Sequence, residues 1–324
     1  MSTAGTGLVS LLGLDPASYQ PHWLHAPERT YVETNCYTDV IIELLHARGN
    51  EPVAALGCTV RMDFEGDQWT FFKPFPEDLQ LLFGIDVHEM QPYRPLPEQA
   101  AEQITEGRTL IVELDSWHLP DTAATSYRSE HVKTSVAVEA IDCAGRRLRY
   151  FHATALHELC GEDYRGVFRI GRPYSEDVLP PYTELVRFDA GPSLHGKQLR
   201  DAARRLLVSH LAHRPASNPF ARFGAQLEHD LPRLLDGDAS DYHAYAFATV
   251  RMAGSAFEVA ASHVQWLLED AAAPACEALQ RIVDGCKVLS FRLARRRAFD
   301  PQETLSALAA AWEQAMARLD DAVA

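Results

Sequence analysis

Two residues in this chain have the type and place to do covalent chemistry together: Cys36 and His131. Thr34 or Asn35 can cap a helix that begins at Cys36, and Val40, Ile41, Leu44 and Leu45 then recur at helical spacing until Gly49. A helix N-terminus favours a thiolate through its dipole and free N–H groups, and the thiolate is the nucleophilic form. A catalytic cysteine also needs a histidine delivered by the fold rather than by sequence proximity. His131 follows a polar loop and opens an alternating segment, so it is expected at a reachable sheet end. A lone cysteine at a helix start is more often a small buried residue, and a lone histidine at a strand end more often a solvated one. The helix-borne cysteine followed by the strand-borne histidine is the informative unit.

Other groups could serve such a site. The loop Glu113–Glu130 holds Asp115, Trp117, His118, Asp121, Tyr127 and Arg128, a polar and aromatic set suited to a substrate amine or acyl group. Asn35, Lys73 and Lys133 are further candidates for substrate contact. Solvated loop and surface residues are the plain alternative for all of these. Cys58, Cys143, Cys160, Cys276 and Cys286 read as core or turn residues, and the six cysteines include no CxxC pair. His157-Glu158-Leu159-Cys160 begins like a zinc-protease motif but lacks its second histidine, so no metal site is expected.

The elements that must hold these residues change character near residue 190. Before it, short β-type runs alternate with short helices. Strands are expected at Pro52–Cys58, Trp69–Phe72, Ile85–Glu89 and Thr109–Leu114, with helices at Pro76–Phe83 and Pro97–Thr105. From His131 to Asp142, Val132, Thr134, Val136, Val138 and Ala140 share one face, and His131, Lys133, Ser135, Ala137 and Glu139 the other. Cys143-Ala144-Gly145 turns the chain into Arg147–His152, its hairpin partner. The proline-rich stretch Arg172–Pro192 reads as a connector. After it come helices at Lys197–His213, Tyr242–Glu269, Ala275–Arg297 and Pro301–Val323, with a weaker one at Pro219–Leu235, as in a helical bundle. The expected organisation is α+β, with an α+β domain over residues 1–190 and a helical domain over 191–324.

Composition narrows the partners. The 324 residues carry a net charge of −15. Residues 1–190 hold 15 basic against 29 acidic side chains, and residues 191–324 hold 15 against 16. Phosphates would repel the acidic part, so no nucleic-acid partner is expected. No apolar run of membrane-spanning length and no basic leader segment appear, so no membrane association is expected and the cytoplasm is the default location. Lys197, Arg200 and Arg204 form one basic helix face, and Arg292, Arg295 and Arg296 another. Either could dock an acidic partner, although ordinary solvated faces look the same in sequence.

The segments Glu33-Thr-Asn-Cys-Tyr-Thr-Asp39, Trp69-Thr-Phe-Phe-Lys-Pro74, Glu113-Leu-Asp-Ser116 with Leu119-Pro-Asp-Thr122, His131-Val-Lys-Thr134 and Tyr150-Phe-His152 together resemble a bacterial family, number 1839 of the domain-of-unknown-function series. The order of cysteine helix and histidine strand is also that of papain-like folds. More distantly, the layout resembles butirosin-biosynthesis-H-like acyltransferases, which join a papain-like domain to a helical one. That resemblance implies transfer of an aminoacyl group from a carrier-protein thioester to an amine. It makes Cys36 the nucleophile and His131 the base. It implies an acyl carrier protein and a small-molecule acceptor as partners, with no bound cofactor and the phosphopantetheine carried by the partner. Papain-like sites usually steady the histidine with an Asp or Asn on the next strand. That position falls near Ala153, so His152, Asp142 and Glu158 are the substitutes, with Glu158 expected opposite His131. Thr30 stands where an oxyanion-binding Gln is usual, which leaves the backbone N–H of Cys36, with Asn35, for that role. Two rivals stay open: a cysteine peptidase or amidase on the same site, and a non-catalytic papain-like scaffold that binds a carrier protein or metabolite.

Overall fold

The computed structural model describes residues 7–172, 174 and 178–324. In chain order the strands are β1 (Val9–Ser10), β2 (Phe64–Glu65), β3 (Gln68–Trp69), β4 (Asp86–Met90), β5 (Thr109–Asp115), β6 (Lys133–Asp142), β7 (Arg147–His152), β8 (Ala155–Cys160) and β9 (Thr183–Arg187). The helices are α1 (Cys36–Ala47), α2 (Pro76–Phe83), α3 (Leu96–Thr105), α4 (Gly161–Val167), α5 (Gly196–Ala212), α6 (Pro219–Asp236), α7 (Ala239–Ala246), α8 (Met252–Leu268), α9 (Ala273–Ala294) and α10 (Gln302–Val323). The fold is mixed: an antiparallel sheet region first, a helical region after it.

Two compact units divide the chain, and neither is contiguous. The first takes the chain up to Trp23, Asn35–Pro52 and Pro76–Ser193. The second takes Leu24–Thr34, Val53–Phe75 and Leu194–Ala324. Two early segments therefore fold with the helices, a grouping that the expected boundary near residue 190 did not include.

The first unit is built on a sheet of order β4-β9-β5-β6-β7-β8, with β1 also paired to β6. Leu110, Val112, Leu114, Val136, Val138, Leu148 and Tyr150 point to one face and form a core with α3 and α4. The other face of β6 and β7 receives α1, whose Val40, Ile41, Leu44 and Leu45 are buried. The expected alternation along β6 is realised as far as Val138. A β-bulge between Val138 and Ala140 then shifts the phase, so Ile141 rather than Ala140 joins the α3–α4 core. Glu139, at the bulge, turns a buried carboxylate to the Ser10 hydroxyl and the Leu12 and Leu14 N–H groups.

Several sequence expectations need correction. Arg172–Pro192 is more than a connector: it contains β9, a central strand between β4 and β5. Residues 173 and 175–177 of that stretch lie outside the described residues. The run expected as a strand at Pro52–Cys58 is a 3-10 segment, Pro52–Arg61. Its Thr59 hydroxyl donates to Leu56 O at 2.7 Å, the local turn bonding that an extended strand cannot make. The strand expected at Trp69–Phe72 shrinks to Gln68–Trp69, paired across a tight turn with β2.

Gly84 shows how closely the first unit is packed. It sits at φ +65°, and a Cβ there would lie 2.0 Å from the carbonyl oxygen of Gly191. Gly84→Ala is therefore expected to destabilise the protein by about 2 kcal/mol or more, from left-handed strain plus the clash. A lowered urea midpoint at unchanged m-value checks it.

In the second unit, Phe64 and Trp69 of the small hairpin pack their rings against Phe220 and Phe223 of α6. The helix expected at Tyr242–Glu269 is interrupted: α7 passes through a π-helical turn, Phe247–Arg251, before α8. Among the described residues no helix is long and apolar enough to cross a membrane.

Candidate functional site

Cys36 is the first residue of α1, and Asn35 is the cap, accepting the Thr38 N–H at 2.9 Å. The half-buried Cys36 thiol lies 3.7 Å from the Ser135 hydroxyl of β6. Strand register fixes what shares that face. Glu113 of β5 pairs with Ser135, and Asp115 pairs with Lys133. Side chains two residues apart on a strand point the same way, so Glu113, Asp115, Lys133 and Ser135 all face the side on which α1 lies.

His131 lies two residues before β6 rather than on it, and its side chain is 70% exposed. Its Nδ1 is 2.7 Å from Asp115 Oδ2. An ionised carboxylate only accepts, so Nδ1 donates and Nε2 is left as the basic nitrogen. Asp115 also accepts the Trp117 N–H at 3.1 Å. The Trp117 and His131 rings stack with centroids 4.6 Å apart and planes 11° from parallel. Lys133 Nζ donates to Glu113 at 2.8 Å. Beside them, Tyr37 of α1 and Tyr182 donate to the two oxygens of the buried Glu184, at 2.6 and 2.8 Å. Burial, then the Glu184 charge, pushes the Tyr37 phenol up, and burial, then the hydrogen bond to Glu184, pushes Tyr182 up to about 12.

The residue that steadies His131 is thus Asp115, at the end of the preceding strand. None of the substitutes drawn from sequence takes that place. Asp142 caps the far turn of the hairpin, accepting the Gly145 N–H at 2.7 Å. Glu158 pairs with Arg149 on β7 instead of lying opposite His131.

His152 belongs to a second cluster, on the α3–α4 face. Its Nδ1 is 2.5 Å from Asp121 Oδ2, and its Nε2 is 2.8 Å from the Thr134 hydroxyl. The other Asp121 oxygen accepts the Tyr150 hydroxyl. Burial works to raise the Asp121 carboxyl, but the hydrogen bond and charge of His152, with His157 and Tyr150, hold it below the usual carboxylate range. Nearby, Tyr127 donates to Asp163 of α4 at 3.0 Å, and Arg128 pairs with the same carboxylate.

The remaining sequence candidates fall elsewhere. Lys73 belongs to the second unit, where its carbonyl accepts the Cys58 thiol. Arg200 lies over the Trp266 ring and donates to the Trp266 carbonyl. Arg204 donates to Ala322 O at 3.1 Å, and Arg292 to the Thr304 hydroxyl at 3.3 Å. Arg295 covers Phe291 at 4.3 Å, and Arg296 follows α9 at φ +50°. Arg200, Arg204 and Arg292 are thus engaged in holding helices together. Among the described residues, no three His, Cys, Asp or Glu side chains converge as a metal site requires.

Family models match almost the whole chain: the DUF1839 N-terminal domain over residues 20–188 and the DUF1839 C-terminal domain over residues 196–321. The chain belongs to the DUF1839 family. The DUF1839 N-terminal match holds Cys36, Asp115, His131 and Ser135 together, and the DUF1839 C-terminal match begins at the first turn of α5. No curated protein matches the chain.

Proposed function

We propose that this DUF1839 protein is a cysteine-dependent acyltransferase of papain-like architecture. It would take an acyl or aminoacyl group from a carrier-protein thioester and pass it to an amine. The observation that carries this reading is that Cys36 and the His131–Asp115 dyad share one face of β5 and β6. The Ser135 and Lys133 levels are two residues apart, about 7 Å along the strand. This arrangement leaves the resting thiol bonded to Ser135 and the imidazole to Asp115. It suits an imidazole that deprotonates an acceptor poised over an acyl group on Cys36.

The steps balance. The Cys36 thiolate attacks the thioester carbonyl, the C–S bond to the carrier breaks, and the carrier thiolate leaves and takes a proton. The amine then attacks the acyl carbon on Cys36 and loses its proton to His131 Nε2, and the Cys36 thiolate departs. The backbone N–H of Cys36, with Asn35, would stabilise the oxyanion in both steps.

Intact-mass measurement with aminoacyl carrier protein as donor and no acceptor tests it. The wild type gains the acyl mass, and Cys36→Ala gains none. The absence of any adduct across a panel of acyl donors overturns the proposal. A second reading, a papain-like scaffold that binds without catalysis, is favoured by one observation: the partner of the Cys36 thiol is a serine hydroxyl, not an imidazole. Cys36 reacting with iodoacetamide at about pH 6.5 no faster than free cysteine would support it.

A further inference from the structure

The Asp121 cluster is tied to the candidate site through two routes that meet at His131. The first is the loop between β5 and β6. Asp121 lies in it, and its carboxylate is held by two sheet groups, the Tyr150 hydroxyl and His152 Nδ1. The same loop carries Trp117, stacked on His131. The second route is β6 itself. His152 Nε2 meets the Thr134 hydroxyl, three residues along the chain from His131, and Val132 O accepts the Ser116 N–H at 2.9 Å. Both segments that bear on the His131 ring are therefore pinned by one imidazole–carboxylate pair on the opposite face of the sheet.

Thr134, His152 and Asp121 are bonded in the order of a nucleophile–base–acid triad. The layout argues against catalysis there. Thr134, His152 and Asp121 are nearly all covered, and Asp121 itself rides on the covering loop. Lifting the loop to admit a substrate would remove the acid member.

We infer that Asp121, His152 and Thr134 are positioning residues, which hold Trp117 flat against His131 and so aim Nε2 at the acceptor; this rests on the acyl-transfer reading for its use, not for its geometry. A fixed imidazole matters because proton transfer needs hydrogen-bond distance to the attacking group, and small displacements cost rate steeply.

The test reads the His131 ring in the resting protein, so it stands apart from any acyl adduct. An indole stacked on an imidazole displaces the imidazole C–H proton resonances upfield, and the His131 signals are identified by their loss in His131→Gln. In Thr134→Val, which keeps the shape and removes the hydroxyl, those signals are expected to move toward the positions of a free histidine. Thr134→Ser should restore them. Asp121→Asn and Tyr150→Phe, which weaken the pin from the loop side, should move them in the same direction. If acyl transfer is established, Thr134→Val should also slow transfer from acyl-Cys36 by about tenfold to a hundredfold, with acyl-enzyme formation unchanged. Unmoved His131 signals in Thr134→Val and Tyr150→Phe, with the protein folded, would overturn the inference, as would a Thr134→Ser variant no better than Thr134→Val.

Discussion

His131→Ala is expected to separate the two halves of the reaction. Acyl-Cys36 should still form from a carrier thioester, and its transfer to an amine should slow by about 10²–10⁴-fold, the usual contribution of a positioned general base. The reason is geometric. The thiol's own partner is Ser135, whereas the imidazole is held at Asp115 and Trp117, one pair of strand residues further out. A thioester donor needs little help at the first step, because one thiolate replaces another. An incoming ammonium must lose protons before it can bond to carbon, and Nε2 is the basic nitrogen free to take one. Intact mass over time checks this: acyl-enzyme should accumulate in His131→Ala when acceptor is present, and turn over in the wild type. If acylation and transfer collapse together, His131 acts on the thiol and the division of labour is wrong. Asp115→Asn should give a weaker version of the same accumulation.

Acidification is expected to cost the protein up to about 3 kcal/mol between pH 6.5 and pH 4 through one residue of the helical unit, His263. Its ring is 1% exposed. Nδ1 is bonded to Val53 O at 2.8 Å, and Nε2 is buried without a partner among the described residues. Gly57 closes over it: a Cβ there would lie 2.8 Å from Nε2. Burial pushes the His263 pKa down to about 4, against the favourable bond to Val53, and the neighbouring His210 adds repulsion. The unfolded chain binds the proton near pH 6.5, the folded one only near 4. Stability from keeping His263 neutral is therefore fully present above pH 6.5 and is lost as pH falls toward 4. His263→Gln keeps a donor for Val53 and cannot ionise. Between pH 7 and 4.5 the wild type should lose more unfolding free energy than this variant; equal losses would refute the assignment.

Local elements are legible in the sequence; strands fixed by tertiary pairing are not. Asn35 capping α1 at Cys36, the bounds of α2 and the hairpin from β6 to β7 were legible, because cap chemistry, helical period and turn residues are local signals. β9 was not. Its five residues follow two prolines in a connector-like stretch, and only pairing with β4 and β5 makes them a central strand. The 3-10 segment after Pro52 reads as a strand in sequence because a short apolar run has no period to tell the two apart. The bulge in β6 left no trace in the alternation that preceded it. At the candidate site, Cys36 and His131 stood out by type and place, but their partners did not. Asp115 became the partner of His131, and Ser135 that of Cys36, through antiparallel register and helix packing, which no spacing along the chain encodes. The acid comes from the strand before His131, not from the one after it.

The neighbours Thr134 and Ser135 give β6 an unforgiving role. One faces His152 and the other faces Cys36, so a shift of a single residue along the strand would turn each to the opposite face. Shifted one way, Thr134 would crowd the thiol and Lys133 would meet the imidazole; shifted the other way, Ser135 would meet the imidazole and Val136 the thiol. Insertions or deletions of one residue between His131 and the bulge would thus dismantle both clusters in a single event, whereas a two-residue change would preserve which side each group occupies. Length variation that the surrounding loops absorb freely is, along this stretch, restricted to even steps.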